Sequence, residues 1–363
     1  MPPKGKLGLI ALAFAVGTAL SSAGARAQDV VVAHSAGING QAVDKILEDF
    51  TKETGVKATG VTLSDTDAGA KMQLAARSGN APYDVVLGMG QDIFSLTQDS
   101  GIYATLDTSG WNEKTLAAMK EAKLIGENYA VSQDTAGLLV YGSSLANNPP
   151  KTWADFFDTK TFPGNRGMAS GGLGVPINME YALIASGTKP ESLYPLDHDK
   201  AMEKLDSISD KLVLWDNAPK GIQDLVNGDT TMAWVFGPAA LGAIKAGQDI
   251  HLVAPEGTAV IRGVGVVMEN GPNGKDVANT FMEWWFRPEN QKKYTEYTNY
   301  GIVVASPAVL ATLDPEKSAF LPFSGEHPEY FHTLDYGFYT AEGDLGQSNL
   351  AITLEKWNQF RAR

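Results

Sequence analysis

The sequence predicts an α/β fold built as two similar lobes with a ligand cleft between them. Three observations lead there. Short apolar runs alternate with stretches of helical spacing. The alternation starts again from Arg166 onward. And removal of a secretory leader would leave about 335 residues, enough for two domains at roughly 150 residues each.

The leader comes first. Lys4 and Lys6 form a short positive region, Leu7 to Leu20 runs without a charge, and Ala25-Arg26-Ala27 ends in the small residues a signal peptidase reads. Residues 1–27 are therefore expected to be a signal peptide, with the mature chain starting at Gln28. The apolar run is short for a membrane span, which needs about 20 residues. Cysteine is absent, so no thiol lipid anchor, disulfide, thiol nucleophile or cysteine metal site is available. A freely diffusing periplasmic protein is expected.

The chain has 29 basic and 42 acidic residues and a formal net charge of −13; losing Lys4, Lys6 and Arg26 with the leader makes it more acidic still. This excludes the basic footprint that nucleic acid requires.

Asp29 to Ala33 reads as a buried strand, and Gln41 to Glu53 as a helix with Val43, Ile46, Leu47 and Phe50 on one face, stopped by Gly55. Val56 to Val61 is a second strand and Asp67 to Ser78 a second helix. Tyr83 to Leu87 is a third strand, with Gly88 to Gly90 as the loop after it. The pattern then recurs. Arg166 to Ala169 leads through a Gly-rich turn into a helix ending at Ala185, and Asp199 to Ile208 is another helix. Lys211 to Trp215 is a strand, Pro219 to Asn227 a helix and Thr231 to Trp234 a strand. A helix rich in Phe and Trp lies within Asn270 to Arg287, with Trp284 and Trp285 assigned to the core. Such alternation builds sheets covered on both faces.

Ligands of open α/β sheets bind at the carboxyl ends of the strands. Here those ends fall at His34-Ser35, Ser64-Asp65, Gly88-Met89, Trp215-Asp216 and Trp234. Ser35 and Trp234 are expected to face each other across the cleft. Trp215 and Trp234 could stack on a ligand or pack in the core. Ser170 opens the Gly-rich turn before a helix, a place that favours an anionic group or is only a flexible connection. Arg262 could clamp a carboxylate or phosphonate with two parallel bonds, or lie on the surface. Signatures of a nucleophile elbow, a helical zinc pair, a phosphate loop and a dinucleotide loop are missing, so no cofactor, metal or catalytic residue is expected.

Several segments together are similar to spermidine/putrescine-type binding proteins of ABC importers. They are Phe50-Thr-Lys-Glu-Thr-Gly-Val56, Trp153-Ala-Asp-Phe-Phe157 with Pro163-Gly164, Leu193-Tyr-Pro-Leu-Asp197, Met232-Ala-Trp234, Glu256-Gly257 and Tyr297 to Pro307. The resemblance implies a two-lobed periplasmic binding protein of the type II kind, its lobes joined by crossing hinge segments near Gln133–Gly137, Ala254–Arg262 and Ile302–Ser306. Lobe one would be 29–135 plus 255–303, and lobe two 136–254 plus 304–363. It implies a monomer that takes a small-molecule solute and delivers it to a membrane permease. Trp234 matches one aromatic wall of that family.

The ligand need not be a polyamine. Where the family often carries an aromatic and acids, this chain has Ile261, Gly263, Gly174, Ile177 and the loop Ser35 to Asn39. Without those acids a diammonium ligand loses its charge-assisted bonds. Asp134 and Asp216 remain to hold one ammonium, and Ser35, Ser170 and Arg262 are added. A zwitterion such as an amino acid or aminophosphonate is expected, with a true polyamine as the alternative. An exported enzyme and a protein-binding module are further alternatives.

Overall fold

The computed structural model describes residues 29–363 except 64, 303–305 and 344–345. The expected signal peptide, Ser64 and part of the third expected crossing lie outside the described residues.

The chain begins β1 (Asp29–His34), α1 (Gly37–Thr54), β2 (Lys57–Thr62), α2 (Asp65–Ser78), β3 (Val85–Gly90), α3 (Gln91–Thr97) and α4 (Glu113–Glu121). The long β4 (Ala130–Gly142) leads to α5 (Trp153–Phe157), β5 (Arg166–Ala169), α6 (Gly174–Ala185) and α7 (His198–Asp206). Then come β6 (Leu212–Trp215), α8 (Ala218–Asn227), β7 (Met232–Phe236), α9 (Gly237–Lys245) and β8 (Ile250–Val253). β9 (Thr258–Val267), α10 (Lys275–Trp285), α11 (Pro288–Tyr297), α12 (Pro307–Leu310), β10 (Phe331–Thr333), α13 (Tyr336–Thr340) and α14 (Asn349–Arg361) complete it.

The strands order as β2-β1-β3-β9-β4-β7-β5-β6, with β10 on β9 and β8 on β4. The sequence of pairings repeats. β1 lies between β2 and β3, parallel to both, and β5 lies between β6 and β7, parallel to both. Each triplet meets an antiparallel strand, β9 on β3 and β4 on β7. β4 belongs to both sets: Ala130 to Ala136 pairs with β9, and Gly137 to Tyr141 pairs with β7. The change of partner falls within the expected crossing at 133–137.

Two cores follow from this layout. Parallel strands buried on both faces need near-continuous apolar runs, as in Val30, Val32 and Ala33. α1 lays Ala42, Val43, Ile46, Leu47 and Phe50 against them, and Phe50 meets Phe281 and Trp284 of α10 edge-on at 5.3 and 5.2 Å. Trp284 and Trp285 have no exposed surface. The second core is centred on α6, buried along every residue from Gly174 to Leu183. A helix with no exposed face along those ten residues, its Asn178 and Glu180 included, lies inside the protein. Trp153 stacks on its Tyr181 with ring centres 3.4 Å apart.

Two sequence expectations change. β3 runs on through Gly90, so Gly88 to Gly90 is strand and not loop. β7 runs to Phe236, two residues past Trp234. A short run followed by Gly-Pro hides where a strand ends, since the last strand residues make no apolar pattern of their own.

Candidate functional site

Besides β2, which leads into α2, five parallel strands end in helix starts: β1 into α1, β3 into α3, β5 into α6, β6 into α8, and β7 into α9. Four of these helices, α1, α3, α6 and α9, have no side-chain cap. Only α8 is capped, by Asn217 on the Lys220 amide at 3.0 Å. By contrast α4, α5, α7 and α14 are capped by Asn112, Thr152, Asp197 and Ser348. A first turn without a side-chain cap leaves N–H groups with no side-chain acceptor at the positive end of the helix dipole, which in α3 is opposed by Asp92 of its first turn. The strand ends thus carry a surplus of anion-seeking donors, to which α10 and α11, also without side-chain caps, add nothing because neither follows one of these parallel strands.

Arg262 and Asp134 stand opposite each other where β9 pairs with β4. The Nε and Nη2 atoms of Arg262 donate to the two Asp134 oxygens, each at 3.0 Å. Asp134 is fully buried, while the Arg262 side chain is 16% exposed. Burial pushes the Asp134 carboxyl up and the guanidinium pulls it back; burial also opposes the Arg262 charge, but Asp134 more than restores it, so the arginine is held above its ordinary value. The two-bond geometry makes this a charged pair. The Tyr336 hydroxyl accepts from the Arg262 amide at 2.9 Å. Only the side edge of the guanidinium is spent. Its end-on edge, Nη1 with the second Nη2 proton, meets no partner among the described residues.

At the β5 and β6 ends, Ser170 donates through Oγ to Asp216 Oδ1 at 2.5 Å. Ser170 is buried and held by its backbone: its carbonyl accepts from Trp357 Nε1 at 2.8 Å and Arg361 Nη1 at 2.9 Å. Asp216 is exposed. At the β1 end, Ser35 is half-buried and accepts from Asn39 Nδ2 at 2.5 Å. Two surface hollows, of 300 and 380 Å³, lie elsewhere, along α7 and α14, with a mixed-charge lining of Asp199, Glu203, Lys356 and Arg363.

Residues 45–318 match the family of bacterial extracellular solute-binding proteins. The chain belongs to that family. It is similar to the γ-aminobutyric acid-binding protein of Pseudomonas aeruginosa, 26% identical over 280 residues that cover 76% of each chain. Among solved structures it resembles an ABC transporter protein of Rhodopseudomonas palustris, at 26% identity and a TM-score of 0.75, covering 92% of this chain and 99% of that one. The Atu4243–GABA receptor shares the fold at 22% identity and a TM-score of 0.77, covering 92% and 98%. The fold of this solute-binding protein is accordingly the two-lobed periplasmic type.

Within it, three expected site residues sit differently from the sequence reading. Trp234 has no exposed surface; its indole N–H donates to Asn178 Oδ1 of α6 at 2.7 Å, and its ring meets Tyr181, Trp215 and Phe236 edge-on. Trp215 is buried and donates to the Trp234 carbonyl at 3.1 Å. Both are core residues here: Trp234 lies two residues before the end of β7 and faces α6, and Trp215, although it ends β6, packs against Gly221 of α8. Phe236, on the same face as Trp234 and half-buried at the true end of β7, is the aromatic at the helix start. Asp134 is not open to an ammonium, since Arg262 takes both its oxygens. Residues the sequence did not single out are Gln133, Tyr294 and Tyr336; Gln133 lay inside the expected crossing, and Asn39 had been named only as the end of the loop Ser35 to Asn39.

Proposed function

We propose that this solute-binding protein captures a small zwitterionic amino acid of the γ-aminobutyrate class in the periplasm and delivers it to the permease of an ABC importer. The observation that carries this is the half-used guanidinium of Arg262. Asp134 holds its side edge, which leaves the end-on edge oriented for a second carboxylate. The starts of α1, α6 and α9, without a side-chain cap or an acidic residue in the first turn, favour the same charge. Asp216, with one oxygen on Ser170, is the acid left to meet the ammonium. The relative from Pseudomonas aeruginosa, a γ-aminobutyric acid-binding protein, supports this class. A polyamine would bring a second ammonium toward an arginine.

The protein acts as a monomer and takes no nucleic acid. Lobe one comprises 29–135 with 255–303 and lobe two 136–254 with 304–363, hinged where β4 changes partners. Ligand closes the cleft.

Calorimetry with γ-aminobutyrate, aminoethylphosphonate, putrescine and spermidine tests the reading. γ-Aminobutyrate or aminoethylphosphonate should bind and the two polyamines should not. Tight putrescine binding with no response to γ-aminobutyrate would overturn it and restore the polyamine alternative.

A further inference from the structure

The ladder between β4 and β9 ends at Ala136, which pairs with Val260. The next pair in that register would be Gly137 with Ala259, but from Gly137 onward β4 pairs with β7. Gly137 and Ala259 are joined through a side chain instead. The Ala259 amide donates to the Tyr181 hydroxyl at 3.2 Å, and that hydroxyl donates to the Gly137 carbonyl at 2.5 Å. A phenol oxygen of α6 thus stands where the ladder would have carried a backbone hydrogen bond.

The surroundings hold it there. Tyr181 has no exposed surface, stacks flat on Trp153 and meets Trp234 edge-on. A Cβ on Gly137 would stand 2.7 Å from the hydroxyl oxygen and 3.2 Å from the Trp234 ring, so only glycine leaves room for the bridge. Burial holds the phenol well above its ordinary pKa, so it keeps the proton it donates. Its neighbour Glu180 accepts from His332 Nε2 at 2.8 Å, and His332 is the β10 partner of Ala259. Two consecutive residues of α6 therefore grip β10, β9 and β4 side by side, where β4 changes partners.

A direct backbone bond holds two strands at one spacing. A phenol hydroxyl accepts and donates at once, so the strands can change angle while the buried N–H and C=O both stay paired. We infer that the Tyr181 hydroxyl is the pin of the interlobe hinge, a positioning residue that keeps Ala259 and Gly137 joined as the lobes move and so limits the angles they adopt. This rests on the lobe division proposed above.

Electron-spin distance measurement on the ligand-free protein tests it. The chain has no cysteine, so nitroxides on Leu74→Cys of α2 and Val226→Cys of α8, exposed positions in the two lobes, report the lobe angle. Tyr181→Phe keeps the stacked ring and removes the bridge. The distance distribution should broaden, and the Ala259 amide should exchange roughly tenfold faster, as expected for one lost hydrogen bond. Tyr103→Phe, which loses a buried hydroxyl bond to Thr97 within lobe one, should leave both readings at the wild-type values. A folded Tyr181→Phe with the wild-type distribution overturns the pin; if γ-aminobutyrate still moves the wild-type distance, the hinge stands without it. Equal broadening by Tyr103→Phe also overturns the pin, because any lost hydroxyl would then do the same. If Tyr181→Phe does not fold, amide exchange in the wild type decides. Exchange of Ala259 at the rate of a free peptide, or protection that γ-aminobutyrate changes, overturns the pin, and unchanged protection upholds it.

Discussion

Arg262 lies side-on to Asp134 across the β4–β9 pairing, with both nitrogen–oxygen distances at 3.0 Å and the acid wholly buried. A buried pair is costly to break singly and much cheaper to replace whole, because a lone charge left behind has no solvent. This separates the structural role of the pair from its role in binding.

Arg262→Ala should destabilise the protein by about 3–5 kcal/mol, and Asp134→Ala by a similar amount. The double variant Arg262→Met with Asp134→Leu should recover most of that loss while still failing to bind γ-aminobutyrate. Urea denaturation and calorimetry on the four proteins check this. A double variant that binds as the wild type does would show that the end-on edge of Arg262 holds no ligand.

The two aromatics at the end of β7 should respond in opposite ways. Trp234→Ala empties a fully buried site and strands Asn178, so it should cost about 3–5 kcal/mol of stability. Phe236→Ala removes a half-buried ring at the helix start and should weaken γ-aminobutyrate binding severalfold, with a stability loss under about 2 kcal/mol. Equal effects of both changes on folding, with none on binding from Phe236→Ala, would place Phe236 in the core too.

That contrast also marks how far the sequence could be read. The continuous apolar run of Asp29 to Ala33, the helical spacing of Val43 to Phe50 and the aromatic Trp284-Trp285 pair are local, and the sequence shows each of them directly. The partner change of β4 between Ala136 and Gly137 lies inside the segment expected to cross. Trp234 was placed two residues early because Val235 and Phe236 continue the strand into Gly237-Pro238 without a break in pattern. Asp134 and Arg262 are 128 residues apart, and nothing local in either says that each is the other's partner.

Glu180 of α6 is buried and accepts from Tyr194 at 2.5 Å, Tyr339 at 2.8 Å and His332 Nε2 at 2.8 Å. Burial first, and then the Glu180 charge, push both tyrosine hydroxyls up, so they remain donors. The cluster ties α6 to β10 and α13, the segment that supplies Tyr336 to Arg262. Glu180→Leu should leave three polar groups without an acceptor, at about 1–3 kcal/mol each, and be among the most destabilising single changes in this half. Glu180→Gln should cost less, since its carbonyl oxygen still accepts. Melting temperatures of the two variants rank them; equal loss in both would mean that the carboxylate charge, and not its acceptor capacity, holds the cluster.

The last expectation concerns pH. His198 opens α7, and its Nε2 lies 2.9 Å from Thr353 Oγ1 on α14. Burial, and then the nearby Lys356, hold its pKa below the ordinary 6.5. In the unfolded chain the ring titrates at its ordinary value. Below pH 6.5 the unfolded state therefore binds a proton that the folded state refuses, and stability falls as pH drops. Above pH 6.5 both states are neutral and His198 adds no slope. The wild type should thus lose melting temperature between pH 7 and 5 more steeply than His198→Gln, which keeps a polar partner for Thr353 but cannot titrate. Comparing the two isolates His198, because every other titrating group is common to both proteins. Parallel melting curves across that range would mean that the His198 ring takes up its proton as readily in the folded protein as in the unfolded one.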